Sequence, residues 1–190
     1  MFPLLLIAFG IVMCIFVSIL ATDFMEVDTL DRVERTLKMQ LVISTILLLP
    51  LILLVAYLSL PETFKIGLDG QTHTIYQPFI CSIVGLVSGL FIAAFTEYTT
   101  SHSYSPVREL ADTCRAGPAS NVTLGLALGY FSTAIPVIFI AITAYVSNTL
   151  MGYYGVSLAA LGMLCNLPIS LAIDGYGPIS DNAGGIAEMA

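Results

Sequence analysis

The composition of this chain of 190 residues excludes most classes of water-soluble protein. Hydrophobic residues make up 57% of the chain and charged residues only 10%, whereas a soluble domain carries about 25% charged residues. So few polar side chains cannot cover a water-facing surface, and we expect the chain to lie in a lipid bilayer. The net charge of −7, with only six Lys and Arg, also excludes a nucleic-acid-binding protein, which needs a basic surface.

Long uncharged stretches define the predicted helices, since a transmembrane helix needs about 20 apolar residues. The stretch 116–173 has no Asp, Glu, Lys or Arg and is too long for one helix, and a turn-like segment at 148–155 divides it. Segments such as 51–55 are apolar on both faces, unlike the alternating strands of a β-barrel. The sequence therefore predicts an all-α polytopic membrane helix bundle that forms a single membrane domain. Its five transmembrane helices are expected near 3–22, 40–60, 79–99, 122–147 and 156–175.

Small residues recur within two of these predicted helices. Gly85 and Gly89 form one GxxxG pair, and Gly125 and Gly129 form another. Such pairs allow two membrane helices to approach closely, although glycine is common in membrane helices in any case.

The cations indicate which loops face the cytoplasm. Five of the six lie in segments 23–39 and 100–121, and only Lys65 lies in the loop between the second and third helices. Because cytoplasmic loops carry an excess of Lys and Arg, we expect both segments to be cytoplasmic. The segment 174–190 then faces the cytoplasm as well. Apolar residues at helical spacing across 24–41 predict a helical extension there, most simply a solvated connecting helix.

Three carboxylates in the last segment are the main candidates for a functional site. Asp174, Asp181 and Glu188 recur every seven residues, so a helix that continued past Pro178 would place them on nearly one face. Acidic residues beside a membrane span are costly to bury and often mark an ion path or a metal site. A hydrated turn at the membrane edge is the simpler alternative.

The chemistry of these residues favours a hard cation. Mg²⁺ prefers carboxylate oxygens and often binds together with phosphate. Asp181 and Asn182 suit this use, and Gly184 and Gly185 allow a ligand to come close. Glu97, at the end of the third predicted helix, is more simply a group that hydrogen-bonds between helices or reaches towards the membrane surface.

The tail from Asp174 to Met189, DGYGPISDNAGGIAEM, closely resembles a signature of the membrane-bound proton-translocating pyrophosphatases. Three further segments resemble the middle of such a pump in their order and spacing. These are TEYTTS at 96–101 with YSPV at 104–107, GLALGY at 125–130, and AALGM at 159–163. The resemblance covers essentially the whole chain, and its overall character is similar to the vacuolar, potassium-stimulated branch of plants and protists.

This resemblance implies a homodimer with sixteen membrane helices per subunit, in a vacuolar or other acidic-organelle membrane. It implies that a cytoplasmic site hydrolyses Mg²⁺-pyrophosphate, with K⁺ as an activator, and drives protons across the bilayer. Carried onto this sequence, it makes Asp181 a Mg²⁺ ligand. Asp174 and Asn182 become candidates for substrate binding or coupling, whereas Glu188 receives no role and no catalytic residue is assigned.

The chain also departs from the family pattern. The lysine- and aspartate-rich substrate motif and the later helices that complete the site and the gate are missing. We therefore expect an internal piece of a longer protein that does not hydrolyse pyrophosphate alone. Two other hypotheses stay open from the residues. One is an ion-coupled secondary transporter without hydrolase activity, and the other is a structural membrane subunit in which Asp174 and Asp181 only cap a helix.

Overall fold

The computed structural model describes residues 1–24, 30–66 and 71–190, and it is dominated by helices. The helices are α1 (Phe2–Phe24), α2 (Leu30–Ser59), α3 (Tyr76–Thr100), α4 (Ser105–Thr113), α5 (Pro118–Leu164) and α6 (Leu167–Met189). A 3₁₀ turn, Cys114–Ala116, follows α4. Two short strands, β1 (Thr63–Lys65) and β2 (Thr72–Thr74), form an antiparallel hairpin between α2 and α3 that the sequence analysis did not predict.

Four segments among the described residues are long and apolar enough to cross a membrane. They are Phe2–Ala21, Arg35–Ser59, Tyr76–Ala116 and Pro118–Leu164. This architecture confirms the predicted all-α polytopic membrane helix bundle. The predicted total of five crossings and their orientation stay predictions. The helical extension expected over 24–41 is present from Leu30 onwards, and its residues 25–29 lie outside the described part of the chain.

Helix α5 reverses direction within its own length. Its 47 residues would extend about 70 Å as a straight helix, more than twice the ~30 Å apolar core of a bilayer. Met151 and Gly152 have non-helical backbone angles, and Gly152 has a φ of 59° and a ψ of −147°, which glycine adopts without steric cost. The break lies inside the predicted turn at 148–155. We call residues 118–150 the first limb of α5 and residues 153–164 the second limb.

Contacts with α3 show the opposite directions of the two limbs. Along the first limb, Phe131 packs against Phe95 and Phe139 stacks on Phe91, so this limb runs antiparallel to α3. Along the second limb, Gly155 lies against Cys81 and Met163 lies against Gly89. The second limb therefore runs parallel to α3.

Glycines allow α3 and the second limb to touch backbone to backbone. A Cβ atom built on Gly85 would lie 1.9 Å from the carbonyl oxygen of Ala159, and one on Gly162 would lie 2.1 Å from that of Ser82. The first GxxxG pair of the sequence thus contributes a close helix contact through Gly85. A Cβ on Gly129, in the second pair, would meet no described atom within 4 Å.

The predicted single helix near 156–175 is interrupted, which corrects the sequence prediction. The second limb ends at Leu164, and α6 begins at Leu167. Pro168 in the first turn of α6 contributes to this break, because a proline has no backbone N–H to continue the preceding helix. Asn166 caps the new helix with backbone angles outside the helical range.

A buried polar contact ties this interruption to α2. The side-chain amide of Asn166 donates a hydrogen bond to the hydroxyl of Thr45 (2.7 Å), and its carbonyl oxygen accepts one from Ser44 (3.0 Å). All three side chains are buried. Because polar groups inside a membrane protein must find partners within the protein, this contact fixes where α6 starts relative to α2.

Replacing Gly85 with alanine should destabilise the protein, because the added methyl group would overlap the Ala159 carbonyl. Overpacking of this kind costs about 1–3 kcal/mol. The thermal midpoint of the complete protein in detergent should fall. Gly89→Ala is the matched control, since its Cβ would meet Met163 at 3.5 Å, an ordinary contact distance. Equal midpoints for the two variants would contradict the packing described here.

Replacing Asn166 with alanine should also lower stability, by about 1–2 kcal/mol, because Ser44 and Thr45 lose their interhelical partner. The measurement is again the thermal midpoint in detergent. Ser157→Ala serves as the control, because the exposed Ser157 hydroxyl bonds only the Tyr153 carbonyl of its own helix among the described atoms. If Asn166→Ala lowers the thermal midpoint no more than Ser157→Ala does, the Asn166 contact does not stabilise the protein.

Candidate metal and substrate site

Helix α6 continues past Pro178 to Met189, as a common face for the three carboxylates requires. Asp174, Asp181 and Glu188, spaced seven residues apart, lie on nearly the same side of it. Pro178 donates no backbone hydrogen bond, so the carbonyl of Asp174 lacks its usual helical partner four residues later.

Two cavities open along this face, at the end of the bundle that holds Lys38, Glu97 and Asp174. We call this end the charged end. The inner cavity has a volume of about 460 Å³ and contains Asp174. The outer cavity has a volume of about 350 Å³ and contains Asp181. The face of α6 thus presents one carboxylate to each cavity, and α2 and α3 supply the opposite walls.

The walls of the two cavities are polar near the carboxylates and apolar elsewhere. Polar residues of the inner cavity are Lys38, Thr96, Glu97, Thr100, Ser170 and Asp174. Those of the outer cavity are Lys38, Glu97, Ser101, His102, Tyr176, Ser180 and Asp181. Both cavities combine hydroxyl groups, one ammonium group and carboxylates, a set that can hold water, cations or phosphate oxygens.

An ion pair between α2 and α3 faces both cavities. The Lys38 ammonium lies 2.5 Å from a Glu97 carboxylate oxygen, and both side chains are partly exposed, at 39% and 33%. The Tyr104 hydroxyl donates a hydrogen bond to the same oxygen (3.3 Å), and the Lys38 ammonium lies 5.5 Å from the centre of the Tyr104 ring. Of the two interpretations of Glu97, the structure therefore shows the interhelical one.

The remaining predicted site residues line neither cavity. Asn182 and Glu188 are exposed on the far part of α6, and Asp174 and Asp181 are exposed too. Within the described ranges, no three His, Cys, Asp or Glu side chains come together as a metal cluster. Among the side chains that the structure describes, Asp181 thus shares its cavity with one further carboxylate, that of Glu97, which Lys38 already pairs.

This arrangement fits a partial Mg²⁺ site. Mg²⁺ is usually held by one or two protein carboxylates, with waters and substrate phosphates completing its octahedron. An exposed carboxylate beside an open cavity can supply one such ligand. Lys38 was missed as a site residue by the sequence analysis, because its charge served only to orient the loops. Its 59-residue separation from Glu97 left no local pattern that could pair them.

A family model described as inorganic H+ pyrophosphatase matches residues 1–190, the whole chain. A K(+)-insensitive pyrophosphate-energized proton pump 2 of Moorella thermoacetica is 33% identical over 197 aligned positions, which cover 100% of this chain and 27% of that protein. A K(+)-stimulated pyrophosphate-energized sodium pump of Thermotoga maritima is 34% identical over 159 residues, covering 84% of this chain and 22% of that protein.

The chain thus spans about a quarter of the length of these two relatives. The match nevertheless runs through every helix of the bundle, including the carboxylate face of α6. The chain belongs to the inorganic H+ pyrophosphatase family.

Proposed function

We propose that the complete protein couples the hydrolysis of Mg²⁺-pyrophosphate to the transport of protons across a membrane. The observation that carries this proposal is the position of Asp181, in the family-like tail and beside an open cavity at the charged end. The two named relatives are a pyrophosphate-energized proton pump and a pyrophosphate-energized sodium pump, which supports a pyrophosphate-driven ion pump. The choice of protons follows the resemblance of the tail.

In this proposal, Asp181 would hold Mg²⁺ through its carboxylate at the mouth of the outer cavity. Such an ion would supply positive charge that neutralises phosphate oxygens and helps to orient the attacking water. Asp174, two turns deeper at the inner cavity, supports the site or takes part in coupling. The exposed amide of Asn182 binds substrate oxygens. The other ligands come from parts of the protein outside this chain, so the chain alone is not expected to hydrolyse pyrophosphate.

The proposal includes a membrane topology. Five crossings place the charged end, with segments 23–39, 100–121 and 174–190, in the cytoplasm. The β-hairpin and the turn at Met151 then lie on the opposite side. A homodimer, activation by K⁺ and a vacuolar or other acidic-organelle membrane belong to the same proposal. The two named relatives are bacterial, and their names include both K(+)-stimulated and K(+)-insensitive pumps, so they favour neither the organelle nor the K⁺ response.

Replacing Asp181 with asparagine in the complete protein should abolish Mg²⁺-dependent pyrophosphate hydrolysis and pumping together, by at least about 100-fold, because the metal loses a charged ligand. Phosphate release and pyrophosphate-driven acidification of vesicles measure the two activities. Asp112→Asn, an exposed carboxylate in α4 that lines neither cavity, is the matched control. Unchanged turnover of Asp181→Asn would reject Asp181 as the ligand.

The same vesicles separate the proposed pump from its alternatives. Acidification on addition of pyrophosphate, without ATP, excludes a secondary transporter without hydrolase activity. Uptake of ²²Na⁺ without acidification would show that the transported ion is sodium rather than the proton. No ion movement and no hydrolysis in the intact protein would favour a structural subunit.

Cys114 provides a natural test of the topology, because it is exposed in segment 100–121 whereas the other three cysteines are buried. A membrane-impermeant maleimide should label Cys114 only from the cytoplasmic side, and Cys114→Ser should lose that label. In the Cys114→Ser background, Gln71→Cys, exposed next to β2, should be labelled only from the other side. Labelling of both positions from one side would contradict the proposed topology.

A further inference from the structure

The inner and outer cavities share one wall. Lys38, Glu97 and Ile173 line both of them, so the ion pair lies at the boundary between the two. Asp174 faces the inner cavity and Asp181 the outer one, and seven residues of helix, about 10 Å along its axis, separate these carboxylates. The Lys38 ammonium is therefore the cationic side chain that both cavities have in common.

Two carboxylates line the outer cavity from different helices, those of Glu97 and Asp181. The other ionisable side chains described in its wall are Lys38, His102 and Tyr176. Divalent cations such as Ca²⁺ bind carboxylate oxygens, and their affinity rises with the number of charged ligands. Lys38 opposes such binding, because its ammonium pairs with Glu97 and repels another cation.

We propose that Lys38 is a positioning residue that keeps Glu97 from acting as a metal ligand. By holding Glu97 in the ion pair, it prevents Glu97 and Asp181 from jointly binding a further divalent cation across the outer cavity. Of the two carboxylates described in this cavity, Asp181 then remains available for the Mg²⁺ that enters with pyrophosphate. The inference rests on the proposed function of Asp181 as a Mg²⁺ ligand.

Tyr104 supports this arrangement from the segment that follows α3. Its hydroxyl bonds Glu97, and its ring lies beside the Lys38 ammonium, so it contacts both partners of the ion pair. Removal of the ammonium alone leaves Glu97 held by Tyr104 and still lining the same cavity as Asp181. Replacement of Lys38 by a neutral residue is therefore expected to create a cation site without rearrangement of the helices.

The test is binding of ⁴⁵Ca²⁺ to the complete protein without pyrophosphate, because Ca²⁺ accepts carboxylates in flexible geometry. Lys38→Gln should bind one additional Ca²⁺ per chain, or bind Ca²⁺ on the order of tenfold more tightly than the wild type. Lys38→Arg should behave as the wild type. The added binding should disappear in Lys38→Gln/Glu97→Gln and in Lys38→Gln/Asp181→Asn. Arg35→Gln, which removes an exposed cation one turn earlier in α2, should leave binding unchanged.

Each result decides the proposal. Unchanged Ca²⁺ binding in Lys38→Gln, or added binding that persists after Glu97→Gln, would overturn it. Lys38→Gln and Lys38→Met could both fail to accumulate in membranes. Recovery of folded protein in Lys38→Met/Glu97→Gln would then support the inference that the Lys38 ammonium acts by pairing with Glu97. Failure of that double variant as well would make Lys38 purely structural and would overturn the proposal. The binding measurement needs no hydrolysis, so it is distinct from the activity test of Asp181→Asn.

Discussion

The close contact between α3 and the second limb of α5 is the constraint on which the rest of the structure depends. Membrane helices gain no hydrophobic energy by leaving lipid for each other, so their association relies on tight van der Waals packing and on polar contacts. Gly85 and Gly162 permit such packing, since neither position has room for a side chain. From Gly85 to Glu97 and from Ala159 to Asp174, the helices rise about 18 and 22 Å respectively. The contact therefore brings Glu97 and Asp174 to similar depths, where they line one cavity.

The sequence predicted those elements that depend on local chemistry. Uncharged stretches located the long helices, and the glycine-containing segment 148–155 located the reversal of α5, where Gly152 has a positive φ. The seven-residue spacing of Asp174 and Asp181 predicted their common face once α6 was known to continue. Each of these features is encoded in one continuous segment of the chain, so a single sequence is sufficient to find it.

Other features required the tertiary structure. The two GxxxG pairs look alike in the sequence, yet Gly85 touches a neighbouring backbone and Gly129 meets no described atom. Pro168 can be read directly from the sequence. The interruption before α6 also depends on Asn166, however, whose partners in α2 lie more than 120 residues earlier. The ion pair between Lys38 and Glu97 is likewise non-local. Such contacts have no local pattern, so sequence analysis assigned the residues separate and simpler roles.

The two faces of α6 differ in chemistry. Ile179 and Ile186 repeat at the same seven-residue interval as the carboxylates, but they start two residues earlier than Asp181, which puts them about 160° around the helix from it. They are 70% and 59% exposed at the charged end, where the helix extends beyond α3. Helix α6 therefore directs its acidic face towards α2 and α3, where the two cavities lie, and its isoleucines away from them.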